Sequence, residues 1–183
     1  RGRTTNHPDI PGPPPGRDFT MSTTTTWALS ARGRTALDDP YSGHGVAEFA
    51  YSAEWTSGTG DNQADLVGRK VQTVNASGNV DVDLRAITDA NGDALNGAEL
   101  AALIIEVPAD ASGDITLERS NTNGVPFLNG TTDGLVLNAG ARLILVFPED
   151  GGPAMSASAK DINLANAGAS NTDVTITTYQ RSA

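Results

Sequence analysis

The chain has no cysteine, and among its 183 residues there are only two histidines and two lysines. Without cysteine there is no disulfide, no thiolate nucleophile and no thiolate zinc site. Aromatic residues are sparse as well, at 5%, so a core has to be assembled from Val, Leu, Ile and Ala in thin layers. Basic residues are outnumbered by acidic ones, 12 to 22, and from Met21 onward 9 stand against 20. Nucleic acid is not an expected partner of such a chain, because neutralising phosphates takes clustered Lys and Arg. Nor is a membrane, since no apolar run approaches the ~18 residues of a spanning helix. The longest such run, from Leu100 to Ile105, has the length of a buried strand.

What is present is a train of short alternating segments separated by Gly, Asn and Asp. Ala47, Phe49, Tyr51, Ala53 and Trp55 alternate with Glu48, Ser52 and Glu54, the period of a half-buried antiparallel strand. Leu66 to Val74 resumes the pattern, and Ala76 to Asn79 turns the chain into a strand with Val80, Val82 and Leu84 on one face. A short helical turn is expected at Gly97 to Leu103. The stretch from Leu100 to Val107 is apolar at nearly every position and is expected to be a central strand buried on both faces, ended by Pro108. Ile115 and Leu117 predict an outer strand. Further strands are expected at Val125 to Leu128, Leu135 to Leu137, Leu143 to Phe147, Met155 to Ala159, Ile162 to Ala165 and Val174 to Tyr179. About ten short strands with a turn every ~8–12 residues predict an all-β antiparallel β-sandwich of jelly-roll type.

The N-terminal quarter reads differently. Residues 1–20 hold five of the ten prolines, without periodicity or the basic-then-apolar order of a secretory signal, and are expected to be a leader or non-native extension ahead of Met21. Residues 21–45 are expected to form an extended N-terminal arm with at most one short strand, and residues 46–183 the sandwich domain. The arm's anchors are Trp27, Leu29 and Tyr41, with Arg32 and Arg34 placed to meet an acidic partner surface; these five residues are the candidate partner-binding set.

No group of residues makes a convincing reactive site. Asp89, Asn91 and Asp93 have the spacing that opens a calcium loop, but Ala94 stands where glycine is required and Leu100 where the closing carboxylate should be, so an Asn-Gly turn is expected. His7 falls in the leader and His44 in a Gly-rich approach, neither on an element rigid enough for a hydrolase triad. Asp81 and Asp83 share a strand face at a spacing that glycosidase carboxylates use, but a chain with 22 acidic residues holds many such pairs, and a solvated acidic face is expected. Trp27, Tyr41, Tyr51, Trp55 and Tyr179 would supply a sugar platform only if Tyr51 and Trp55 left the apolar register of their strand. Gly58-Thr59-Gly60 lacks the strand and helix of a nucleotide loop, and the sequons at Asn75 and Asn129 carry no secretion context. No catalytic residue, cofactor or metal site is expected, and the chain is read as a non-enzyme.

From residue 60 to 180 the succession of segments resembles a family of small structural proteins of tailed bacteriophages, encoded near the major capsid protein. The resemblance runs through Ala64 to Val67, Val80 to Leu84 with Ala86 to Gly92, Leu100 to Val107, the Leu137 to Gly140 turn leading into Leu143 to Phe147, and the strand pair from Asp161 to Thr178. It implies a β-sandwich virion protein on the capsid surface, a decoration protein bound to the major capsid protein; independent monomers and trimers both fit the pattern, and a homo-oligomer is the expectation. A tail or fibre component, or a carbohydrate- or receptor-binding module, is the alternative.

Overall fold

The structure is a computed structural model that describes residues 25–35, 45–128, 133–147 and 151–182, with backbone alone for 25–35 and 45–55. Ten strands follow one another: β1 Thr25–Thr35, β2 Gly45–Trp55, β3 Leu66–Val74, β4 Asn79–Asp83, β5 Glu99–Glu106, β6 Ile115–Arg119, β7 Gly134–Leu137, β8 Arg142–Val146, β9 Asp161–Asn166 and β10 Thr172–Arg181. β1 and β2 pair with each other as a two-stranded ribbon. The other eight form two antiparallel sheets, ordered β3-β10-β5-β8 and β4-β9-β6-β7. Every connection from β3 to β10 crosses between the sheets except β6 to β7, which is the winding of a jelly roll.

The alternation seen in the sequence decides which residues fill the space between the sheets. Val74, Val82, Leu84, Leu103, Ile105, Ile115, Leu117, Ile162, Leu164, Val174 and Ile176 are all buried there. Each contributes about 1.5–3 kcal/mol by leaving water. β5 lies between β10 and β8 and is buried along its length, as its continuous apolar run predicts. A register shift opposite Tyr179 and Gln180 lets Ala101 bulge, so Leu100 and Leu103 both face the core while Ala102 and Ile104 take the outer face.

Several sequence-based expectations fail locally. No helical turn forms at Gly97, whose amide donates to the side-chain oxygen of buried Gln180 at 3.0 Å. The Gln180 amide in turn donates to the Leu84 carbonyl at 2.8 Å, so tertiary hydrogen bonds hold the backbone extended. β6 is interior to its sheet, flanked by β9 and β7, rather than an outer strand. Val125 to Leu128 forms a turn with Val125 buried, and Met155 to Ala159 is reduced to bridges, because neither segment meets a continuous partner.

Candidate partner-binding surfaces

Trp27, Leu29, Arg32 and Arg34 all lie on β1, an eleven-residue strand paired along its whole length with β2. Thr25 and Thr26, at the end of the Thr-rich stretch, stand opposite Trp55 and Glu54 of β2. Tyr41 falls outside the described residues. Directly opposed residues of an antiparallel pair share a face, and the register places Trp27 opposite Ala53, Leu29 opposite Tyr51 and Ala31 opposite Phe49. Trp55, opposite Thr25, falls on that same face. The alternate face carries Arg32 opposite Glu48, Arg34 opposite Val46 and Glu54 opposite Thr26. All four aromatic residues of the ribbon therefore share one face and all four charges the other.

The connector from ribbon to sandwich is firmly tied. The Ala64 amide donates to the Thr56 carbonyl at 3.0 Å, closing a compact loop. Arg181, only 1% exposed, donates from Nε to the Gln63 carbonyl at 2.9 Å and from a terminal nitrogen to the Phe147 carbonyl at 2.9 Å, and pairs with Glu99 at 3.3 Å. The Ser182 amide donates to Asp65 at 2.8 Å. Three carbon-rich neighbours, Ala64, Tyr179 and Val146, pack over Ala101 and Ala102 beside this anchor.

A second surface, which sequence reasoning missed, is the outer face of the β3-β10-β5-β8 sheet. The registers align Val67, Tyr179, Ala102 and Val146 in one row across all four strands, and Arg69, Thr177, Ile104 and Ile144 in the next. A third row runs Val71, Thr175, Glu106, Arg142, the last two joined as an ion pair. Val67 is 39% and Val71 58% exposed. The solvent face of an antiparallel sheet is ordinarily polar; here the first row is apolar and the second half apolar, Ala102 and Ile104 within them are buried, and the exposed Val67 and Val71 make the β3 side of this face a candidate contact surface. Val67 and Val71 alternate with Gly68, Lys70 and Gln72, and that pattern looks polar-inward until Gly68 is found buried at the sheet's edge. On the opposite sheet, Leu135 and Val136 of edge strand β7 are 39% and 60% exposed.

The carboxylates singled out in the sequence are occupied in holding turns. Asp89 accepts the amides of Asn91 at 2.8 Å and Asp93 at 3.0 Å, while Gly92 takes a positive φ of 91° in the same turn. The Asp93 amide is the main reason the Asp89 carboxyl lies below its ordinary pKa. Asp83 accepts the amides of Arg85 and Ala86 and the ammonium of Lys160 at 2.5 Å, which raises the lysine's pKa. Asp81 accepts the Asn163 side-chain amide at 2.8 Å. Asp161 next to them is pushed up, first by burial and then by the Asp83 charge. Gly60 donates to the Gln63 side chain at 2.9 Å, so its loop is closed on itself. His7, His44 and Asn129 lie outside the described residues, and Asn75 sits on an exposed turn. Among the described residues no group of three or more His, Asp and Glu is arranged to hold a metal ion, and no helix is long and apolar enough to cross a membrane.

No protein-family model matches the chain, and no curated protein is significantly similar to it. Among solved structures it is similar to one described as the crystal structure of PirA, at 18% identity over 61% of this chain and 93% of that one, with a TM-score of 0.35.

Proposed function

We propose that the protein is a non-enzymatic virion component, a capsid decoration protein that binds the outside of the major-capsid-protein shell and stabilises it. The observation that carries this reading is the pair of valines, Val67 and Val71, exposed along β3 on the outer face of the β3-β10-β5-β8 sheet of an otherwise strongly acidic sandwich. A flat sheet face of this kind adds contact area across neighbouring subunits without a cleft. The resemblance of the segment order to small phage structural proteins is what points this reading to a capsid shell. Arg32 and Arg34, on the charged face of the ribbon, supply contacts to acidic groups of that shell.

Shells assembled from the major capsid protein of the same phage provide the test. Wild-type protein is expected to co-sediment with them and to raise their melting temperature, and a Val67→Glu, Val71→Glu double variant to bind at least ~10-fold more weakly, a loss of about 1.4 kcal/mol. Wild-type protein that stays in the supernatant at micromolar concentration overturns the reading.

A further inference from the structure

The β1–β2 ribbon poses a physical problem of its own. A lone two-stranded hairpin is at best marginally stable in water, and among the described residues this one hydrogen-bonds to neither sandwich sheet. Yet it holds both tryptophans of the chain and four of its nine aromatic residues, all four on one face by register. Aromatic residues concentrated in this way are the signature of the buried centre of a protein interface.

Charge selects the occupant. The ribbon's two arginines and two glutamates cancel, whereas residues 56–183 hold seven basic and sixteen acidic residues, a net −9. Two sandwiches approaching each other repel, and the ribbon is the part of the described chain through which copies meet without opposing that charge. The area suffices as well. Each covered aromatic buries ~150–250 Å², so the four yield about 600–1,000 Å² per copy and about 1,200–2,000 Å² per pair, the range of a specific interface.

We propose that ribbons of separate copies pack against one another through the face bearing Trp27, Leu29, Phe49, Tyr51 and Trp55, making the protein a homo-oligomer joined at its ribbons. The contact is isologous, the same face meeting itself. It leaves Arg32, Arg34 and the outer face of the β3-β10-β5-β8 sheet free, and it does not depend on what that sheet binds.

Sedimentation equilibrium of the full chain is the test. Wild type is expected to reach at least twice the 18.8 kDa chain mass at micromolar concentration. A Leu29→Glu, Tyr51→Glu variant, altered at one opposed pair, is expected to fall to the monomer mass while keeping its far-ultraviolet circular dichroism. A Ser30→Glu, Ala50→Glu variant, altered at the neighbouring pair on the charged face, is expected to remain oligomeric. A monomeric wild type overturns the proposal, whatever then covers the ribbon, and so does an oligomer that persists in the Leu29→Glu, Tyr51→Glu variant.

Discussion

The sandwich and the ribbon are built from the same strand pattern but from different residues, and the difference separates internal from external stability. The sandwich from residue 56 onward has three aromatic residues, Phe127, Phe147 and Tyr179, and fills its core with Val, Leu and Ile. Sheets about 10 Å apart have room for that and little more. The ribbon concentrates four aromatics in two strands that, among the described residues, hydrogen-bond to neither sandwich sheet. The sandwich covers most of its apolar residues within itself, whereas the ribbon gathers its aromatic residues at positions of one face.

Replacing Leu103 with Asp, at the centre of the sandwich core, tests the first half of that contrast most severely. An unpaired carboxylate at a fully buried position is expected to cost more than ~4 kcal/mol and abolish cooperative melting; a retained transition would show that β5 is peripheral. Next in size is Arg181→Ala, which strips two backbone carbonyls and Glu99 of their partner where ribbon connector and sandwich meet. About 3–5 kcal/mol is expected from denaturant titration, and a loss under ~1 kcal/mol would mean that water replaces the guanidinium.

Smaller and opposite in sign is Asp161→Asn. Burial raises the folded carboxyl above its ordinary 3.8, so the folded state holds that proton more tightly than the unfolded chain does. Stability is therefore lost as pH rises from 3.8 through the raised folded value, and the ionised group remains a constant cost above it. The Asn variant is expected to be more stable at pH 7 by about 0.5 kcal/mol or less, with the gain vanishing in acid below 3.8. A gain that persists there would assign the effect to something other than ionisation. Smallest of all, the Leu29→Glu, Tyr51→Glu change is expected to leave the sandwich's own transition within about 0.5 kcal/mol at concentrations too low for association; a larger drop would mean that the ribbon's aromatic face is part of the sandwich core.

Legibility in the sequence followed the range of the interactions involved. β2, β4, β9 and β10 were readable because residues two apart alternate in polarity, a local property. The apolar run of β5 announced a central strand for the same reason. β1 escaped because Thr25 to Thr35 alternates weakly and becomes regular only against β2. The Val67 and Val71 surface escaped because β3 is amphipathic in neither register by itself, and its inward face is defined by what Gly68 packs under. A Cβ on Gly68 would come within 2.7 Å of the Thr88 carbonyl and 2.8 Å of Ile87, so the loop after β4 lies directly on the bare backbone. Asp83 and Gln180 act through partners 77 and 96 residues away, which spacing along the chain does not reveal.

By itself, the sequence determined that this is an all-β protein with an aliphatic core, an acidic surface and an N-terminal segment of different character, because composition and period-two alternation are local. Only the tertiary structure decided that the eight C-terminal strands wind as a jelly roll and that β2 belongs to β1 instead of to either sheet. It also set the apolar rows on an outer face and the charges and aromatics of the ribbon on opposite sides. Those outcomes depend on which strand lies beside which and in what register, and a shift of one residue would have exchanged every face.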